Sequence, residues 1–471
     1  MKKEFVITFV YLLLSNYVHS QHNRFNVVFI MADDLGLNDT GYTGSDFYET
    51  PNIDKLSKDG MVFNTAYSSA ANSAPSRACL MSGLYTPRHG IFTVSPPDRG
   101  ERSKRKLIPV PNTEDLRKDI TTMGELFKRN GYICGHIGKW HLGDDKDGTG
   151  PLSRGFDVNI AGGRAGSPYS YYYPYCNSNN ECHSGLEEGV AGEYLTDRLT
   201  DEAVKFIKES ASGTKPFFLY MAHHAVHTPI TAPIEIVDKY KNKPVGKYHD
   251  NPVYAAMIET LDNSVGKICR IIDSLGISDN TIIIFNSDNG GSEPITDNFM
   301  VRGGKGMPYE GGNRVPLIIK WPNVTVPGSF SNCPVNNIDF FPTFQTYLEA
   351  KSGEGLDGID IYPLISGQTT TIDRDLFWHF PAYLESYTDN GKEFRAKPYT
   401  SVRSGKWKLI YYYENKNVEL FNLEEDMKEE HDVSCLNPDI VSELKSKIFN
   451  WLYNLHAPIP TQLNPYYEYY D

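Results

Sequence analysis

Apolar runs separated by polar, glycine-rich joints set the rhythm of this chain. Phe25 to Met31 (FNVVFIM) is a continuous apolar, β-branched run that stops at Asp33 and Asp34. A short run of this kind, bounded by turn residues, reads as a strand buried on both faces. The same reading applies to Tyr132–Ile137, which ends at Gly138-Lys139-Trp140-His141, and to Phe217–Met221, which ends at His223-His224. It applies also to Thr281–Asn286, which ends at Asp288-Asn289, and to Val315–Trp321. Apolar positions at helical spacing mark Ile53–Asp59, Ser76–Leu84, Thr121–Asn130 (stopped by Gly131), Glu193–Ser210 and Tyr254–Leu275. This alternation predicts an α/β fold, a layered domain with a large mixed, mostly parallel sheet between helices. Ligands of such sheets sit beyond the carboxyl ends of the strands. Four of the strands end in acidic, basic or histidine residues.

Ile361–Gly367 closes this domain, which is expected over residues 21–367. The pattern then changes to short aromatic runs, Leu376–Phe380, Tyr399–Arg403 and Trp407–Tyr413, followed by a charged stretch and a helix over Val441–Leu455. That predicts a small antiparallel α+β subdomain over residues 368–471. The first residues differ again. Lys2 and Lys3 precede the apolar run Phe5–Leu14, and a cut near Ser20-Gln21 makes residues 1–20 a signal peptide. The run is too short to anchor the chain in a bilayer, so a periplasmic or secreted location is expected.

Composition removes some alternatives. A formal charge of −13 argues against nucleic-acid binding through a basic face. It is no obstacle to an anionic substrate in a locally basic pocket, because only near charges escape screening. Seven cysteines in 471 residues make no disulfide scaffold. Cys79, Cys134 and Cys269 lie in apolar periodic stretches and read as buried thiols. Cys176 and Cys182 lie close together in a Tyr-rich loop, where a bridge and two unpaired thiols fit the spacing equally.

The strongest chemical signal is SAPSRACLMSG, from Ser73 to Gly83. A small nucleophile precedes Pro75 where a helix opens, a position that favours bound anions, and Arg77 adds a fixed cation with bidentate reach. Asp33, Asp34, Asp288 and Asn289 are oxygen donors from two distant strand ends, a set that suits Ca²⁺ or Mg²⁺. His223, His224 and His227 form HHxxH. Zinc pairs of this kind usually share a helical face, whereas this cluster follows a strand.

The eleven-residue motif resembles the signature of type I sulfatases of the alkaline-phosphatase-like superfamily, C/S-x-P-S-R-x-x-L-(hydrophobic)-(T/S)-G, with Ser at its first position. The resemblance runs from about Asn26 to about Asp432, in order. NVVFIMADD (Asn26–Asp34) is similar to the opening metal-binding strand, GKWHLG (Gly138–Gly143) to the lysine–histidine motif, and PFFLYMAHHAVHTP (Pro216–Pro229) to the histidine strand. SDNGG (Ser287–Gly291) is similar to the second metal pair, Gly304-Lys305-Gly306 with Tyr309–Gly312 to the late lysine segment, and ELFNL (Glu419–Leu423) to the C-terminal strand.

The resemblance implies one Ca²⁺ held by Asp33, Asp34, Ser73, Asp288 and Asn289. It implies that a maturase oxidises Ser73 to Cα-formylglycine, because an unmodified serine is a poor nucleophile. The Ser-type motif points to a radical maturase of bacteria. Hydration gives a gem-diol. One hydroxyl attacks sulfur and the alcohol leaves; the second hydroxyl then collapses and expels sulfate, with His141 as base. Arg77 and Lys139 would hold diol and sulfate oxygens, and His227 and Lys305 the bridging oxygen, with His227 the proton donor. The logic is charge neutralisation around a transferring anion.

The expected substrate is a sulfated carbohydrate, such as an algal polysaccharide or a glycosaminoglycan. His379, Arg403 and the loop Tyr169–Tyr175 are candidates for its binding at the pocket mouth, and Arg314 for a structural pairing near Glu310. A phosphatase or phosphodiesterase of the same superfamily is the alternative, disfavoured by Asn at position 289. An unmodified carbohydrate-binding relative is a third reading.

Overall fold

The computed structural model describes residues 24–351, 355–387 and 393–468. The expected signal peptide lies outside the described residues. Eight strands form the large sheet: β1 (Asn26–Ala32), β2 (Met61–Phe63), β3 (Ile133–Gly138), β4 (Val158–Ile160), β5 (Phe217–Ala222), β6 (Thr281–Ser287), β7 (Leu317–Lys320) and β8 (Ser329–Ser331). Their spatial order is β4-β3-β5-β1-β6-β7-β2-β8. All neighbours are parallel except β7, which runs antiparallel to both β6 and β2. The mixed, mostly parallel sheet is therefore present.

The flanking helices include α1 (Pro51–Asp59), α2 (Ser73–Ser82), α3 (Met123–Arg129), α4 (Leu195–Ala211) and α5 (Pro252–Ser274); a last one, α6 (Pro438–Asn454), serves the second sheet. Alternate residues of β1 face opposite layers. Val28, Ile30 and Ala32 join a core with Leu199 and Ala203 of α4 and Met257, Leu261 and Val265 of α5. Val27, Phe29 and Met31 join a second core with Ala78, Leu126, Phe127 and Phe344. Covering both faces is why the strand is an unbroken apolar run.

Two features differ from the sequence expectation. Helix α2 starts at Ser73, three residues earlier than the spacing indicated, because its first turn is buried and polar rather than amphipathic. Strands β2, β4 and β8 have three residues each, too few to show a periodicity. Cys176 and Cys182 form a disulfide, while Cys79 and Cys134 are buried thiols and Cys269 is half-buried.

The second sheet is antiparallel: β9 (Asp375–Phe380), β10 (Tyr399–Ser404), β11 (Trp407–Tyr412) and β12 (Val418–Asn422), in that order. Both its faces are covered. Phe377, Val402, Leu409 and Leu420 meet Leu444, Ile448 and Leu452 of α6, and Leu376, Trp378, Phe380 and Ile410 pack with Tyr67 on the other side. A buried charge network ties this sheet to the large domain. Lys408 Nζ lies 3.0 Å from Glu310 Oε1 and 2.8 Å from Glu429 Oε1. Tyr67 donates to Glu310 Oε2 at 2.6 Å, and the Glu310 backbone N–H donates to Glu429 Oε2 at 2.7 Å. Burial works against ionising Glu310, but Lys408 and Arg314 outweigh it and bring the carboxyl down to about 2.

Removing one member of such a pair leaves a buried charge without its partner. Lys408→Ala is expected to destabilise the fold by about 3–5 kcal/mol, whereas removing one side of the exposed Lys55–Asp59 pair costs at most about 0.5 kcal/mol. Urea unfolding of the two variants measures the difference; equal costs would contradict the role given to Lys408.

Candidate active site

The carboxyl ends of β1, β3, β5 and β6 lie side by side, and the residues following them converge on the first turn of α2. β1 passes directly into Asp33 and Asp34. Asp34 has φ 63°, a left-handed conformation in which its N–H donates to Asp288 Oδ1 at 3.1 Å. The Asp288 N–H returns a bond to the Ala32 carbonyl at 3.1 Å, so the two strand ends interlock. After β3 the chain turns at Gly138 (φ 105°), where any Cβ would fall 1.8 Å from the Ala222 carbonyl oxygen. That turn drives Lys139 inward, and its N–H donates to the same carbonyl at 2.7 Å. The Lys305 segment is pinned at both sides. Its N–H donates to Gly291 O at 2.9 Å and the Gly306 N–H to Ala71 O at 2.6 Å.

The side chains form one connected cluster. Ser73 Oγ lies 3.1 Å from Asp33 Oδ1 and 3.3 Å from Asn289 Oδ1, and receives a bond from Lys139 Nζ at 3.1 Å. Lys139 also donates to both Asp33 oxygens, at 2.9 and 2.8 Å. Arg77 donates through Nε to Asp288 Oδ2 at 2.9 Å and through Nη1 to the Lys139 carbonyl at 3.0 Å. Lys305 Nζ donates to Asp34 Oδ2 at 2.7 Å, and Asn289 Nδ2 to Asp34 Oδ1 at 2.9 Å. His227 Nε2 lies 3.6 Å from Asp34 Oδ2, and its Nδ1 2.7 Å from the Thr228 carbonyl. Asp33, Lys139, Asp288 and Asn289 are fully buried, and Ser73, Arg77, Asp34 and Lys305 nearly so. His141 and His227 are partly exposed and mark the mouth.

Burial opposes every charge here, and neighbours decide the outcome. For Asp33 burial wins over Lys139 and lifts the carboxyl to about 7. For Asp34, Lys305 and His227 outweigh burial and hold the carboxyl well below the usual range; for Asp288, Arg77 and Lys139 do the same. Burial pushes Lys139 down. Burial, reinforced by Lys139 and Arg77, holds His141 well below its usual value. His227 falls to about 3 by burial and the nearby Lys305. Both rings are therefore neutral near pH 7.

Asp33, Asp34, Ser73, Asp288 and Asn289 fit a hard divalent cation. All five present oxygen and none is a thiol. Asp33 and Asp34 share a space within 4.8 Å of the His227 ring nitrogen. The elevated Asp33 is a carboxylate with too little positive charge around it, which a cation would supply.

Nine of the ten residues expected at the catalytic centre thus share one cluster, His141 is near enough for the charges of Lys139 and Arg77 to act on it, and two residues expected at the mouth lie elsewhere. His379 sits on the α6 face of β9, buried, with Nδ1 2.7 Å from Thr400 Oγ1 and Nε2 3.0 Å from the Pro458 carbonyl. Arg403 belongs to the network between the domains: it bonds the Tyr67 hydroxyl through Nη1 and the Gly405 carbonyl through Nε. The reason is common to both. Aromatic strands suggested a sheet edge open to solvent, but helix α6 and the large domain cover both faces. His223 packs against α5, 3.0 Å from Ser264 Oγ, and His224 is buried beside the His183 ring. In the Tyr169–Tyr175 loop, Tyr171 is buried. Its hydroxyl lies 2.7 and 2.8 Å from the His224 and His227 carbonyls, a support for the His227 turn that no periodicity or spacing signalled.

A protein-family model described as Sulfatase matches residues 25–350, a span that holds every member of the cluster from Asp33 to Lys305. The chain belongs to the sulfatase family. A second model, N-sulphoglucosamine sulphohydrolase, C-terminal, matches residues 304–456. A sulfatase of Formosa agariphila is 32% identical over 92% of this chain and 89% of its own length. The N-acetylgalactosamine-6-sulfatase of Rattus norvegicus is 32% identical over 79% of this chain and 73% of its own. The crystal structure of Ps i-CgsB in complex with k-i-k-neocarrahexaose superposes with a TM-score of 0.77 at 31% identity, covering 94% of this chain and 95% of the other. The sulfatase therefore has the alkaline-phosphatase-like fold expected for it, and it is a sulfatase enzyme.

The reassignment of His379 is open to test. His379→Ala leaves the Pro458 carbonyl without its histidine partner and the Thr400 hydroxyl with Tyr413 alone, an expected loss of about 1–3 kcal/mol. Thermal melting measures that loss, and sulfate-release kinetics are expected to show KM unchanged. A raised KM with an unchanged melting temperature would return His379 to the substrate.

Proposed function

We propose that this sulfatase removes sulfate from a sulfated oligo- or polysaccharide, using a formylglycine made from Ser73 and one bound Ca²⁺. The observation that carries the reading is the setting of Ser73. It is the first residue of α2, its oxygen is the meeting point of Asp33, Asn289 and Lys139, and Arg77 stands one helical turn on. An unmodified serine hydroxyl is a weak nucleophile, and the Ser73 oxygen here accepts a hydrogen bond from Lys139, which supports conversion before use. The relatives named for N-acetylgalactosamine-6-sulfate and the neighbour bound to k-i-k-neocarrahexaose support a carbohydrate substrate. The N-terminal pattern supports export to the periplasm or beyond, and the Ser-type motif supports a maturase as an obligate partner.

Once converted and hydrated, the side chain at position 73 supplies a diol oxygen that can attack sulfur. A cation among Asp33, Asp34, Asp288 and Asn289 supplies charge neutralisation for that oxygen and for the sulfate. The chain's own groups do the rest. Lys139 bridges Asp33 and position 73 and so fixes the attacking oxygen. Arg77 is held by Asp288 and the Lys139 carbonyl, which orients its remaining N–H groups. His141 is neutral and can take the proton of the second hydroxyl. The Thr228 carbonyl keeps a proton on His227 Nδ1, so the neutral ring presents Nε2 as an acceptor, and donation from Nε2 to the leaving oxygen requires a further proton, which burial and Lys305 oppose and Asp34 favours. Lys305, beside Asp34, neutralises the same oxygen.

Two outcomes test the reading. The peptide holding residue 73, from a host with the maturase, is expected to be lighter than its serine form by two hydrogens, and Ser73→Ala is expected to lower sulfate release by at least ~10³-fold. Release of phosphate but not sulfate from matched esters would favour the phosphatase alternative instead. Chelation is expected to abolish activity and to lower the melting temperature. Ca²⁺ at about 100 times its Kd is expected to restore about 2.7 kcal/mol of stability. Restoration by Zn²⁺ but not Ca²⁺ would contradict the donor set.

A further inference from the structure

Beside the Lys305 segment lies a cavity of about 550 Å³. One wall is made by Arg302, Gly303 and Met307–Tyr309, which flank Lys305 in the chain. The opposite wall comes from the hairpin around Leu384–Glu385 and Phe394–Ala396, and it includes Arg395. Arg395 stacks on the Tyr387 ring, with Cζ 3.6 Å from the ring centroid. Its Nε and Nη1 are buried, and neither has a hydrogen-bond partner among the described residues. Buried guanidinium donors normally find acceptors, and the described residues supply none to these two.

The guanidinium sits one residue from the catalytic lysine. Gly306 follows Lys305 directly, and a Cβ there would fall 2.9 Å from Arg395 Nε. Leu384 closes the same point at 2.8 Å. Asp34, the partner of Lys305, is near enough for its charge to act on Arg395. The nearest acid on the hairpin, Glu385, is already paired with Arg99. Among the residues that line the cavity Glu293 is the one acid, against Arg302, Arg395 and Lys397, so the lining carries net positive charge.

We infer that Arg395 is a specificity-determining residue that binds a second anionic group of the saccharide, next to the sulfate being removed. This rests on the carbohydrate reading above and refines it: the preferred substrate is polyanionic. Arginine suits the task because its planar fork matches both sulfate and carboxylate oxygens, and stacking on Tyr387 holds that fork in place. The recognised group is an additional sulfate or a uronate carboxylate, and the shared chemistry is that of an oxyanion.

The test compares three substrates: a monosulfated neutral saccharide, a disulfated one, and a monosulfated one with a neighbouring uronate. Arg395→Gln is expected to lower the preference for a doubly anionic over the singly anionic substrate, as the ratio of kcat/KM, by ~10-fold or more, through KM. Arg395→Lys is expected to recover part of that preference, since it keeps the charge and loses the fork. Loss with the disulfated arm alone assigns sulfate; loss with the uronate arm alone assigns carboxylate. Titration of Ser73→Ala protein with the same saccharides, with and without Arg395→Gln, gives the comparison as affinities even where turnover is absent. An unchanged preference in both formats overturns the inference while leaving Ser73-dependent sulfate release intact. Failure of Ser73 to matter would overturn the functional reading instead.

Discussion

The structure depends on packing three acids where water is excluded and setting a cation against each. Asp33, Asp34 and Asp288 are buried together, and the desolvation cost of one such charge reaches several kcal/mol after relaxation. No single element can offset it. Lys139 comes from β3, Arg77 from α2, Lys305 from a loop after β6, and each reaches a different carboxylate. A parallel sheet is suited to this because it delivers several strand ends to one edge. The two apolar cores flanking β1 then have a functional meaning: they fix the strand ends to within hydrogen-bonding tolerance.

The same logic explains the second sheet. Glu310 lies five residues beyond Lys305, and it is held by Lys408 of β11 and Tyr67. Arg302, three residues before Lys305, donates to the Glu429 carbonyl at 2.8 Å and lies over the Tyr309 ring. The segment carrying Lys305 is therefore clamped on both sides by residues of the C-terminal part. This sheet supports the segment carrying Lys305 and, through the hairpin between β9 and β10, supplies a wall of the adjoining cavity.

What was legible in the sequence follows from which signals are local. Apolar runs ending in acids gave β1 and β6 and the Asp33-Asp34 and Asp288-Asn289 pairs at their ends, because strand and pair are adjacent in the chain. The Ser73–Gly83 motif was legible because its spacing is rigid. His379 and Arg403 were misplaced because alternation along a strand says which residues share a face, not what covers that face. Both faces of β9–β12 are buried. Arg395 went unremarked because nothing around it is patterned. Its significance comes from Gly306, 89 positions away in the chain, and from a stacking ring across a hairpin.

Charge also bears on the kind of substrate this centre accepts. Asp33, Asp34 and Asp288 are matched by Arg77, Lys139 and Lys305, so the protein's contribution is close to neutral. On the proposed reading, a divalent cation then leaves the centre positive by about two charges. Asn289, neutral where another acid would fit sterically, preserves that surplus. A sulfate monoester brings one negative charge and neutralises only part of it. Arg395 extends the remaining positive potential along the cavity wall, where its half-buried guanidinium is less screened than an exposed charge. A substrate that matches this field has its negative charge spread over neighbouring groups rather than confined to the ester that is cut.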